Sequence, residues 1–131
     1  MTGTTLATAA IEAARQAYAP YSRFQVGAAL LAADGRVFVG ANVENVSFPE
    51  GVCAETSAIS AMVGAGARKI TRVAIFAASE RPCTPCGGCR QRLAEFGAAH
   101  TVVEIHNTLG LALQTTLGEL LPHAFGVELK S

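Results

Sequence analysis

Residues 24–45, FQVGAALLAADGRVFVGANVEN, leave the backbone little choice. Two β-type runs flank Asp34-Gly35, a strong two-residue turn signal, so the segment predicts a hairpin. The rest of the chain predicts layers for it to pack on. Thr4 or Thr5 can cap a first helix that carries Leu6, Ala10, Ala13 and Tyr18 on broadly one side and ends at Pro20. NVSFPEGV, residues 45–52, reads as an irregular loop. A second helix is predicted from about Cys53 to Val63, stopped by the GAGA run at 64–67. Its small residues Ala54, Ser57, Ala58 and Ala61 allow close packing on a sheet. RVAIFAA, residues 72–78, is a continuous apolar run of the kind that suits a central strand covered on both faces. A third helix follows from about Cys86 to Phe96, then a strand at TVVEI, a weaker one at LALQTT, and a last helical turn at LGELLP. The order α-β-β-α-β-α-β-β-α predicts one α/β domain over residues 1–131. It would be a three-layer α/β/α arrangement: a mixed sheet of about five strands, helices on both faces and right-handed crossovers.

Composition narrows what such a domain does. Half of the 131 residues are hydrophobic and only 15% are charged, a lean surface for a lone monomer. Some apolar surface is therefore expected to be covered by further copies of the chain. A formal net charge of zero argues against an electrostatic nucleic-acid or membrane surface. No apolar run approaches the ~20 residues of a membrane span. MTGTTLATAA lacks the basic start of a secretion signal, so a reducing cytoplasm is the expected location. There, closely spaced cysteines mean metal or redox work more often than disulfides.

Three of the four cysteines fall in RPCTPCGGCRQ, residues 81–91. Two overlapping C-x-x-C pairs are possible, and Pro85 separates them. A pair Cys83/Cys86 on one helix would put Pro85 inside or just after its first turn, where it loses a backbone bond or clashes. Placed just before the helix, Pro85 is welcome. Cys86, Cys89, Leu93 and Phe96 then lie within about 80° of one another on a helix. Two thiolates one turn apart form a ready chelate, but zinc usually takes four ligands. Cys53 also falls at a predicted helix N-terminus, and two such termini lower thiol pKa values and help hold a three-thiolate cluster of net charge near −1. Three ligands leave an open position, the mark of a catalytic rather than a structural zinc. Two other readings compete: a redox dithiol at Cys86/Cys89, and a closed four-cysteine site with Cys83 as fourth ligand. Glu55, two residues after Cys53, distinguishes them, because beside a zinc-bound water it can relay protons. Its bland role would be a favourable charge at a helix start.

The combination C-x-E with P-C-x-x-C about thirty residues on matches the signature of the zinc nucleobase deaminases, in which Cys or His stands first. With YAPYSRFQVGAAL, NVEN, CAE, PCGGCRQ and LLPHAFG in this order, nearly the whole chain resembles the small three-cysteine cytidine deaminases. The resemblance implies hydrolytic deamination of cytidine and 2′-deoxycytidine in pyrimidine salvage, with one Zn²⁺ per subunit on Cys53, Cys86 and Cys89. It implies Glu55 as proton shuttle, Phe24 lining the nucleoside pocket, Asn42 and Glu44 bonding the ribose hydroxyls, and the Ala54 backbone holding the pyrimidine edge. Phe125 would reach into a neighbouring subunit of a homotetramer. Ordinary roles compete: core for Phe24, a strand-end turn for Asn42, C-terminal packing for Phe125. Many members carry arginine where this chain has Thr56; Arg90 is the nearest candidate cation to compensate. The rival functions are deamination of a nucleoside-like antibiotic of the blasticidin S type, a non-enzymatic zinc-stabilised binding module, and editing of polymeric RNA or DNA. The NVEN segment argues against the first, and neutral charge and a short chain against the last.

Overall fold

A computed structural model describes residues 3–126. The hairpin forms from β1 (Val26–Ala32) and β2 (Val37–Ala41), antiparallel, with Leu31 opposite Val37. Its connection is the four-residue loop 33–36 rather than a two-residue turn. Ala33 is drawn aside to donate to the Lys69 carbonyl at 3.0 Å, and Asp34 Oδ1 accepts from the Arg36 amide at 3.1 Å. Gly35, at φ +90°, supplies the left-handed turn residue.

Three more strands complete one mixed sheet: β3 (Ile70–Ala77), β4 (Val102–Asn107) and β5 (Gly110–Thr116). The order is β2-β1-β3-β4-β5, and only β3 and β4 run parallel. That pair needs a crossover, which α3 (Gly87–Phe96) provides; α2 (Ala54–Gly64) connects β2 to β3 across β1. Both helices cover one face, over Leu30, Met62, Ile75, Leu93 and Ile105. On the other face α1 (Gly3–Ala14) buries Leu6 and Ala10 against Ala29 and Ala74. Alternate residues of β1 and β3 thus enter opposite clusters, as a strand buried on both faces requires. The arrangement is the expected three-layer α/β/α.

Two boundaries differ from expectation. The first helix begins at Gly3, so Thr4 and Thr5 lie within it, and it ends at Ala14, four residues before Tyr18. The chain leaves the helix to pair elsewhere: the Tyr18 amide donates to Asn42 O at 2.9 Å, and the Glu44 amide donates to Tyr18 O at 2.8 Å. The weak strand at LALQTT is the full seven-residue edge strand β5, mostly exposed. A short α4 (Leu117–Leu120) follows, its N-cap Thr116 accepting from the Glu119 amide at 3.2 Å.

Close approach of α2 to the sheet depends on Gly40. A Cβ there would sit 2.3 Å from Ala58 N and 2.6 Å from Ala54 O, both backbone atoms that cannot swing away. Gly40→Ala is expected to cost about 2 kcal/mol or more of stability by overpacking, and to lower zinc occupancy by displacing the Cys53 end of α2. An unchanged urea midpoint with full zinc content would show that the helix can slide freely.

Candidate metal centre and active site

Three cysteines converge because two helices start at the same edge of the sheet. Cys53 is the N-cap of α2 and Cys86 the N-cap of α3, both in extended backbone (ψ 157° and 167°). Cys89 lies in the first turn of α3, fully buried, one turn before buried Leu93. Pro85 stands just before the cap, as expected, and is itself buried. The three Sγ atoms all lie within 4.8 Å of one another. Thiolates held tetrahedrally at the usual Zn–S distance of ~2.3 Å would stand about 3.8 Å apart, so the donor set fits zinc after a small contraction. Cys83, partly buried, is not in this cluster, and all four cysteines are free thiols.

Electrostatics make the cluster receptive to a cation. Glu55, in the first turn of α2, is only 5% exposed, and burial pushes its carboxyl above the usual range. Burial likewise pushes up the Cys53 and Cys89 thiols, and the Glu55 charge adds to both shifts. Cys86 is the exception, drawn down first by the Cys89 backbone amide. Crowded groups of like charge, with Cys89 and Glu55 buried, resist ionising together, and a dication reverses that preference.

Thr56 and Arg90 behave differently from one another. The Thr56 hydroxyl stands 3.9 Å from Cys89 Sγ. Arg90 is committed elsewhere: Nε donates to Pro85 O at 2.7 Å, Nη1 to Leu120 O at 2.8 Å and Nη2 to Thr84 Oγ1 at 3.2 Å. It ties the loop before α3 to the end of α4. Its three guanidinium bonds all go to oxygen atoms, so they do not serve the compensating role suggested by its sequence position.

A cleft of about 680 Å³ is lined by Tyr21, Ser22, Asn42, Glu44, Phe48 and Cys53, among others. That is a usual size for a small-molecule site. Asn42 is partly used by the fold: Oδ1 accepts from Val26 N at 3.0 Å and Nδ2 donates to Phe24 O at 2.8 Å. One N–H and one lone pair remain for a ligand. The Glu44 carboxylate accepts from the Tyr21 amide at 2.9 Å, the Ser22 amide at 3.1 Å and the Ser22 hydroxyl. Ala54, 1% exposed, opens α2, where amides have no intrahelical partner. Phe24 is partly buried and Phe125 is 77% exposed; neither lines the cleft of the single chain. Phe125 is held through its carbonyl, which accepts from Gln91 Nε2 at 3.4 Å. Tyr21, Ser22 and Phe48 are cleft residues that sequence reasoning did not assign. The only signal for Tyr21 and Ser22 was an aromatic and a hydroxyl directly ahead of the hairpin.

Three thiols at two helix N-termini, with a buried carboxylate beside them on an α/β/α sheet, define a zinc-dependent enzyme. Comparisons with known proteins agree. Residues 2–105 match the cytidine and deoxycytidylate deaminase zinc-binding region. A cytidine deaminase of Halalkalibacterium halodurans is 48% identical over 119 residues, covering 91% of this chain and 90% of that protein. The crystal structure of cytidine deaminase from Burkholderia pseudomallei superposes with a TM-score of 0.91 at 43% identity, covering 95% of this chain and all of that one. That from Mycobacterium tuberculosis gives 0.85 at 39% identity, covering 97% and 99%. The chain belongs to the cytidine and deoxycytidylate deaminase family.

Proposed function

We propose that this chain, acting as one catalytic domain over residues 1–131, deaminates cytidine and 2′-deoxycytidine to uridine and 2′-deoxyuridine. Water is consumed and ammonia released. The observation that carries this reading is the cleft: Asn42 and Glu44 line it together with Cys53, and Cys53 is one of the three clustered thiols.

Cys53, Cys86 and Cys89 would hold the zinc. Bound there, zinc supplies Lewis acidity and can bring the pKa of water from ~15.7 towards 7. Glu55 moves the protons. Its carboxylate takes one from the attacking water and delivers it to N3 of the pyrimidine, making C4 electrophilic. The hydroxyl left from that water bonds to C4. Glu55 then takes the proton of the new C4–OH and gives it to the amino nitrogen, so that C4=O forms as the C–N bond breaks and ammonia leaves. Asn42 and Glu44 offer a donor and acceptors to the ribose hydroxyls, and the free amide at Ala54 faces the pyrimidine edge. Neither Phe24 nor Phe125 lines the cleft of the single chain; in the assembled protein Phe24 would border the pocket and Phe125 of a neighbouring subunit would stack on the base. Such stacking contributes roughly 1–3 kcal/mol per base.

The neighbour belongs to a homotetramer. Supporting this, Val46, Phe48 and Phe125 stand 84%, 91% and 77% exposed, too much apolar surface to leave in water. We place the enzyme in the cytoplasm and in pyrimidine salvage, with no nucleic-acid or membrane partner. Among the described residues no helix is long and apolar enough to cross a membrane.

An ultraviolet deamination assay on purified protein, with zinc content and molar mass in solution measured on the same sample, tests the reading. The expected result is turnover of both nucleosides, one zinc per subunit and a tetramer. A fully zinc-loaded protein that leaves both nucleosides unchanged would defeat it.

A further inference from the structure

The Ser22 hydroxyl sits between two groups that the proposed function uses. It donates to Glu44 Oε2, and it accepts the Phe24 amide at 3.0 Å. The same Glu44 carboxylate takes the Tyr21 and Ser22 amides on its other oxygen. Between Ser22 and Phe24, Arg23 holds a left-handed backbone at φ 62°, a conformation few non-glycine residues adopt unsupported. Its amide donates to Ala19 O at 3.0 Å, which closes the turn. Asn42 holds the far side of the same segment through Phe24 O and Val26 N.

We infer that Ser22 is a positioning residue for nucleoside recognition: its hydroxyl fixes the Glu44 carboxylate towards the sugar and ties it to the loop that carries Phe24. The inference rests on the deaminase reading above. A carboxylate on a flexible side chain loses rotamer freedom when a sugar hydroxyl binds it. Glu44 has already lost that freedom, because three donors hold it from the protein side. Each carboxylate oxygen still has lone pairs for a sugar hydroxyl. In agreement, hydrogen bonding from Ser22 holds the Glu44 carboxyl below the usual carboxylate range, so it is ready as an acceptor.

Ser22→Ala, Ser22→Thr and the pair Ser22→Ala/Glu44→Gln can be compared with the wild type on cytidine and on 2′,3′-dideoxycytidine, which lacks both ring hydroxyls. Loss of one charge-assisted hydrogen bond predicts that Ser22→Ala lowers kcat/KM for cytidine about 10-fold, mainly through KM. The loss on the dideoxynucleoside should be much smaller. Ser22→Thr, which keeps the hydroxyl, should recover most of the cytidine activity. In a Glu44→Gln background, Ser22→Ala should add little, because the two act as one unit. Thermal melts check that each variant is folded. Equal losses on both substrates, no loss at all, or full additivity with Glu44→Gln would each overturn the role of Ser22. A wild-type chain inactive on cytidine would instead overturn the deaminase reading, and this inference with it.

Discussion

Glu55→Gln is expected to retain one zinc per subunit and to lose roughly 10²- to 10⁴-fold in kcat, the range that a positioned general acid–base group contributes. The substitution is nearly isosteric, and Glu55 is 5% exposed in the first turn of α2, so the amide fits where the carboxyl was. It cannot take up and return a proton, and the proposed reaction needs this done twice, at N3 and at the amino nitrogen. The three thiols lie outside the substituted group, so metal binding should survive. Zinc content and stopped-flow turnover on the same preparation separate the two effects. A zinc-loaded variant that keeps more than about a tenth of wild-type turnover would remove Glu55 from the proton path, since general acid–base groups contribute at least about 10²-fold.

Cys89→Ala is expected to lose zinc and all measurable activity, whereas Cys83→Ser keeps both. Cys89 is one of only three thiols in the cluster, and it is completely buried. Mutating a group that merely orients a metal ligand costs 10–100-fold in affinity; deleting the ligand itself should cost more. The chain should still fold partly, because Leu93 and the β3–β4 pair hold α3 independently of the metal. Cys83 lies in the loop before α3, outside the cluster. Metal content by emission spectroscopy and melting temperature test both variants. Loss of zinc from Cys83→Ser would make that cysteine a fourth ligand and turn the open site into a closed structural one.

Much of this was legible because it is local. The pairing of Cys86 with Cys89, and the exclusion of Cys83, followed from one proline and the pitch of a helix. The buried strand β3 was legible in RVAIFAA because a strand covered on both faces has no polar alternation to hide. The end of α1 was not: nothing between Ala14 and Tyr18 breaks a helix, and pairing with the 42–44 segment outcompetes another turn. Nor was the turn loop, where Lys69 and Arg36 take partners that a two-residue turn would not allow. Arg90 looked like a cation for the thiolates because it follows Cys89. Its guanidinium instead answers the Leu120 carbonyl, thirty residues away in the chain.

By itself, the sequence determined the ligand types, their spacing within each helix start, and the family these motifs belong to. Each is a property of a few consecutive residues. That Cys53 joins Cys86 and Cys89, with Glu55 beside them, was already expected from the motifs; what the tertiary structure adds is how the starts of α2 and α3 come to meet. The reason is packing: Gly40 lets α2 lie against the sheet, and the parallel β3–β4 pair brings α3 to the same edge. Likewise, only the fold carries Ser22 to Glu44 across twenty-two residues. Hydrogen bonds of that span depend on strand register and loop closure, which no local pattern encodes.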